Sequence, residues 1–234
     1  MSWFESQRDA WRRVPVDDLG YLDAADLVTM SDAELRPLLD AAWTARYVGW
    51  RNQGGAWVRG LNLDAPGRTV LDFGCGLGLD AARLGLAGNR VVLADVNDDA
   101  VQLAARAMVL LGAGGAVAGL SLISGDWPYV ILAGPGVDSV LFSGVLHHLP
   151  YAPSVVRRAA QLVGSGGELR AMVYGRTAVE RHGADFVRAM DAVGEFADWY
   201  DADRLRSWFG AWVEVVEVAP IGDGSYLTVH MVAR

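Results

Sequence analysis

The chain predicts an α/β domain on a doubly wound, mostly parallel sheet, and three observations carry that expectation. An apolar run, Val70-Leu71, ends in Asp72 and is followed by the glycine-spaced turn Gly74-Cys75-Gly76-Leu77-Gly78. After a helix-length segment, a second apolar run, Val91-Val92-Leu93-Ala94, ends in Asp95. Further short apolar runs then alternate with helix-like segments out to residue 175. Together these read as a strand–loop–helix–strand unit whose loop brings bare backbone close to a ligand. The acid closing the second strand is placed to grip a ribose, so a nucleoside-containing cofactor is the first functional expectation.

Taken in order, residues 1–60 read as a tryptophan-rich helical cap, with main helices over 17–30 and 31–53. Ser31 and Glu34 form a capping box, since each side chain satisfies a backbone donor beside the other. Pro37 falls early in that second helix and argues for a start later than Ser31. Residues 61–175 carry the cofactor unit. Its second helix opens at Asn97-Asp98-Asp99, where a cap and early acids complement the helix dipole, and runs to about Met108. A third strand begins at Leu120 and leads to Asp126 and Trp127; a fourth covers 137–142. A helix over 153–163, a glycine turn at 164–167 and a fifth strand over 168–174 complete the unit. Residues 176–234 are expected to finish the sheet: helices near 184–193 and 202–209, then an antiparallel edge hairpin of strands at 212–218 and 225–232. The whole is read as one domain, 1–234.

The glycines discriminate between cofactors. A dinucleotide fingerprint places glycines at its first, third and sixth positions, but here Leu79 occupies the sixth. That opposes a nicotinamide-dependent oxidoreductase. The spelling Asp72-Phe73-Gly74-Cys75-Gly76-Leu77-Gly78 resembles the first motif of class I S-adenosylmethionine-dependent methyltransferases. The string Ser143-Gly144-Val145-Leu146-His147-His148-Leu149-Pro150 resembles the post-strand motif of the small-molecule, ubiquinone-biosynthesis-like branch. The motifs follow the family's order and spacing across about 65–175. The resemblance implies a Rossmann-like seven-stranded sheet with one reversed edge strand, S-adenosyl-L-methionine as cofactor, and a small-molecule methyl acceptor.

Residue roles follow from that resemblance. Gly74, Cys75, Gly76 and Gly78 would form the cofactor loop, with Cys75 a small tolerated residue and no nucleophile. Asp72 would hold the loop or meet the cofactor's amino group. Asp95 would accept both ribose hydroxyls in charge-assisted bonds worth about 1.5–3 kcal/mol each. Val96 and Trp127 would sandwich the adenine, and Asp126 would bond its amino group. Ser143, at the end of the fourth strand, is counted with the cofactor contacts. Arg51 belongs to the aromatic-basic cluster Tyr47, Trp50, Trp57 and Arg59, and would pair with the cofactor carboxylate. His147 and His148 lie at the ligand-binding end of a central strand, where an imidazole can take a proton from the attacking group. Each has a structural alternative: a helix-end arginine, a gap-filling tryptophan, a histidine present without acid–base work. Tyr174, Arg176, Trp199 and Tyr200 are read as lining the acceptor pocket, on equal terms with ordinary packing.

Composition narrows the partners. All 20 basic residues are arginine, and the net charge is −8, a poor match for a phosphate backbone; nucleic acid is not an expected partner. One cysteine leaves no internal disulfide framework and fits a reducing cytoplasm. No leader pattern opens the chain, and the longest apolar region, 101–120, holds Arg106 and four glycines, so neither a signal peptide nor a membrane span is expected. No His, Cys or carboxylate spacing suggests a metal. The acceptor, the atom methylated and the oligomeric state are not written in any motif. Two further classes stay open on the same fold: a non-methylating catalyst such as a cyclase or pericyclase, and a cofactor-binding protein without catalysis.

Overall fold

The computed structural model describes residues 11–16, 20–114, 118–121, 136–181 and 197–234. A short antiparallel hairpin comes first, β1 (Arg13–Pro15) against β2 (Tyr21–Asp23). Helices α1 (Ala24–Thr29) and α2 (Asp32–Tyr47), a 3-10 segment (Trp50–Gly55) and α3 (Ala56–Gly60) follow. Alternation then sets in: β3 (Thr69–Phe73), α4 (Leu79–Leu86), β4 (Arg90–Asp95), α5 (Asp98–Leu110) and β5 (Ala118–Ser121). After β6 (Ser139–Ser143) come a 3-10 turn (Leu146–His148), α6 (Ala152–Val163) and β7 (Glu168–Tyr174). The chain closes with α7 (Ala202–Phe209), β8 (Val213–Ile221) and β9 (Tyr226–Ala233).

Among the described residues, seven strands form one sheet in the order β5-β4-β3-β6-β7-β9-β8. The first five run parallel, and β9 runs antiparallel to both its neighbours. The reversed strand is therefore penultimate, and β8 forms the edge. From β3 the chain winds outward through β4 to β5, then returns to place β6 on the other side of β3. That reversal leaves a crevice beyond the carboxyl ends of β3, β4 and β6, where open α/β sheets bind ligands.

Two cores lie on opposite faces of the sheet, and the period-2 alternation of the strands assigns residues to each. Val70, Val91, Leu93 and Leu141 pack with α1 through α5. Leu71, Phe73, Val92, Ala94, Val140 and Phe142 pack with α6 and α7. Every residue of β3 is buried, so Asp72 is enclosed on the α1–α5 face with its neighbour Val70. Continuous burial on both faces explains the near-unbroken apolar runs of the central strands.

The N-terminal cap departs from the helices expected over 17–30 and 31–53. Gly20 adopts φ +80, Val14 and Val16 are buried as an extended segment, and the first helix begins only after its cap, Asp23, whose carboxylate accepts from the Ala25 amide at 3.1 Å. The second helix does start at the Ser31–Glu34 capping box and keeps Pro37 inside, against the later start expected from that proline. It stops at its cap, Val48, because the next segment leaves helical geometry at Asn52, Gln53 and Gly54. The third strand begins at Ala118, two residues early. Asp126, Trp127 and the helix expected near 184–193 lie outside the described residues. Among the described residues no helix is long and apolar enough to cross a membrane.

Candidate functional site

A cleft opens at the strand crest, between the loop after β3, the ends of β4 and β6, and the β1 hairpin. Asp72, Gly74, Cys75, Gly76, Asp95, Val96, Ser143 and His148 all line it, so the structure gathers these expected residues in one place.

The loop after β3 is shaped by left-handed backbone. Gly76 lies at φ +49, and a Cβ built on it would meet nothing within 4 Å. The space over Gly76 is thus open cleft, and the glycine's job there is conformational. Gly78 does something different. It caps α4 at φ +78, and an added Cβ would sit 2.6 Å from the Ala104 Cα. It is not among the residues lining the cleft, and the absence of a side chain lets α4 pack against α5.

Asp95 ends β4 under this loop. Its carboxylate accepts from the Gly76 amide at 3.0 Å and the Asn97 amide at 3.0 Å. Burial pushes its pKa up to about 6, opposed by those hydrogen bonds and one from the Val96 amide. Asn97 also caps α5 and donates to the carbonyls of Trp11 and Arg12 at 3.3 Å each. The hairpin is thereby tied beside Asp95, and Trp11, Arg13 and Val14 form that wall of the cleft.

Across the loop lies a buried polar cluster the sequence analysis did not assemble. Asp80, in the first turn of α4, is 3% exposed and lines the cleft. It accepts from Tyr47 Oη at 2.6 Å, Trp57 Nε1 at 3.0 Å, Arg46 Nη1 at 3.1 Å and Ser143 Oγ at 2.6 Å. Arg46 also stacks over the Trp57 ring, 5.5 Å from its centroid. Asp72 lies nearby at 1% exposure, and its Oδ1 has no hydrogen-bond partner. Burial, then the charge of Asp80, hold its pKa well above the ordinary carboxylate range, with Arg46 opposing. The missed signal was spacing: Arg46 and Tyr47 end a helix, and Asp80 opens another, 33 and 34 residues apart.

Arg51 is not part of this cleft. Its guanidinium lies over Trp50, 5.2 Å from the ring centroid, on the 3-10 segment, and the arginine from this region that lines the cleft is Arg46. The histidines separate as well. His148 lines the cleft and meets Trp11 edge-on at 4.6 Å. His147 is 1% exposed behind it, with its ring 3.7 Å from that of Tyr174. Burial, then His148, hold His147 well below the usual imidazole range, so it is a neutral packed ring and not a cleft residue. Cys75 is buried, and that burial raises its thiol pKa, which opposes nucleophilic use. Of the residues read as lining an acceptor pocket, Tyr200 is 0% exposed and packed against Phe209, and Trp199 stacks with Arg204 at 4.4 Å. Among the described residues no group of three His, Cys, Asp or Glu side chains is placed to hold a metal.

Sheet order and cleft together define the α/β methyltransferase fold. Residues 71–169 match a family model described as a methyltransferase domain. An O-methyltransferase of neocarzinostatin biosynthesis, solved with S-adenosylmethionine and 2-hydroxy-5-methyl naphthoic acid, is similar at a TM-score of 0.60. It is 22% identical, over 90% of this chain and 59% of its own. Magnesium protoporphyrin IX methyltransferase of Synechocystis PCC 6803, solved with bound S-adenosylhomocysteine, gives 0.55 and 20%, over 85% of this chain and 83% of its own. A curated relative, a histidine protein methyltransferase 1 homolog of Dictyostelium discoideum, is 33% identical over 89 residues. That match spans 37% of this chain and 28% of the relative. At these identities the solved structures establish a likeness of fold.

Proposed function

We propose that this chain is an S-adenosylmethionine-dependent methyltransferase that moves a methyl group to an oxygen, nitrogen or carbon of a small molecule. One observation carries the reading: a single cleft holds an unpartnered buried carboxylate oxygen on Asp72, open space over Gly76, and the Asp95 carboxylate. These fit an ammonium group, a side-chain-poor passage and a ribose diol in turn. Asp95 would accept the ribose hydroxyls, Val96 would flank the adenine, and Asp72 would accept the amino group of the amino-acid tail. The Ser143–Pro150 string supports placing the chain with the ubiquinone-biosynthesis-like branch, with 1–60 as cap and the residues after 175 on the acceptor side.

The bound cofactor supplies a methyl group activated by sulfonium. The protein's share is alignment and exclusion of water, which can lower a barrier by about 7–11 kcal/mol. His148 stands in the cleft wall where it can take a proton from an attacking hydroxyl or amine. Phe73, Val145 and Leu149 make the rest of that wall apolar, which keeps water out.

Calorimetric titration with S-adenosylhomocysteine tests binding, and transfer of label from S-adenosylmethionine to a panel of phenols, amines and carboxylic acids tests the activity. Micromolar binding with formation of S-adenosylhomocysteine is the expected result. An intact fold that binds neither compound at millimolar concentration overturns it. Turnover without S-adenosylhomocysteine would identify a non-methylating catalyst instead.

A further inference from the structure

Asp80 receives four hydrogen bonds, two on each oxygen, and the identity of the donors restricts what can stand there. Tyr47 Oη and Trp57 Nε1 meet Oδ1; Arg46 Nη1 and Ser143 Oγ meet Oδ2. The two hydroxyls can accept as well as donate. The indole and the guanidinium can only donate, and they sit on opposite oxygens. An amide in this position would turn its NH2 toward one donor-only group whichever way it faced. A carboxyl group, which keeps lone pairs on both oxygens, is therefore what this position requires.

As a source of stability this is a poor investment. Arg46 and Asp80 are 15% and 4% exposed at their side chains, and a buried ion pair seldom outperforms apolar residues of the same size. What the pair does achieve is a guanidinium held at a fixed point on the cleft wall, by contacts from α2, α3, α4 and β6. On the same wall stands Asp72, with its unpartnered Oδ1. A guanidinium and a buried carboxyl group lining one cleft offer partners for the two charged ends of an α-amino acid.

We infer that Asp80 is a positioning residue: it holds Arg46 at the cleft to take the carboxylate of the cofactor's amino-acid tail, while Asp72 takes the ammonium. This rests on the proposed cofactor and adds the group that orients its reader. The Asp80 carboxylate itself touches no reacting atom. Its effect reaches the ligand through Arg46 and must therefore depend on whether the ligand carries a tail.

Two probes separate that role from simple support of the fold. S-adenosylhomocysteine carries the tail; 5′-methylthioadenosine has the same nucleoside and sulfur without it. In calorimetric titrations, Asp80→Asn is expected to weaken S-adenosylhomocysteine about tenfold or more and to leave methylthioadenosine within about twofold. Arg46→Gln should show the same selectivity, and the double variant should be no weaker than the worse single, since both act through one contact. Tyr47→Phe, which keeps the carboxylate and removes one donor, provides the same comparison should Asp80→Asn fail to fold by circular dichroism; a smaller loss confined to S-adenosylhomocysteine is expected. Equal weakening of both probes, or none of either, overturns the inference while the cofactor reading stands. A wild-type protein that binds neither probe sinks both.

Discussion

Asp95 makes a prediction with two opposite slopes. Its pKa is about 6 in the folded protein against an ordinary 3.8, because it is buried and the Gly76, Asn97 and Val96 amides only partly offset the lost hydration. As pH rises from 4, the unfolded chain releases this proton before the folded one does. The carboxyl therefore contributes most to stability below pH 4 and loses that contribution as pH climbs through 6. The shift of about two units corresponds to about 3 kcal/mol. Ribose recognition runs the other way, since only the ionised carboxylate accepts from both hydroxyls. S-adenosylhomocysteine should bind about tenfold more weakly at pH 5 than at pH 7, one unit below the transition. Asp72 and other carboxylates also titrate, so the comparison is with Asp95→Asn, which has the same shape and no proton to lose. Urea melts at pH 4, 5, 6 and 7 should show the stability of the wild type falling relative to the variant by about 2.4 kcal/mol across the series. Calorimetry over pH 5–7 should show a pH-dependent affinity in the wild type that is flattened in the variant. A stability difference that is constant with pH, or that grows in favour of the wild type, would refute the assignment of a raised pKa; an unchanged affinity profile would refute the ribose contact.

Gly78→Ala should cost about 2–4 kcal/mol in urea denaturation, because a side chain at φ +78 is strained and its Cβ would overlap Ala104 backbone at 2.6 Å. Arg51→Ala should leave S-adenosylhomocysteine affinity within about twofold by calorimetry, its guanidinium being stacked on Trp50 away from the cleft. His148→Asn should reduce the rate of methyl transfer about 10²-fold or more with little change in cofactor affinity. His147→Asn, at a ring packed 3.7 Å from Tyr174, should lower the melting temperature first.

The parallel strands, the glycine loop and the acid that closes β4 were legible because their physics is local. Asp72 through Gly78 must turn sharply whatever surrounds them, and the apolar runs announce burial on two faces. Helix α7 and the strands β7, β8 and β9 likewise declare themselves by periodicity. The cap was misread for the complementary reason. The propensities of 17–30 favour a helix, yet Pro15, Gly20 and the buried Val14 and Val16 put an extended hairpin across the cleft, where Asn97 holds it.

What the chain's order of residues determined alone is therefore the sheet and the crest at its strand ends. Only the folded molecule decided which arginine and which histidine line the cleft. Arg46 and Arg51 stand only five residues apart, and Arg51 is the one expected from the sequence. Asp80, 34 residues further on, selects the first by drawing it into a buried carboxylate with Tyr47, Trp57 and Ser143. Such a choice depends on long-range packing, because a charge can be buried only where partners from other elements converge on it.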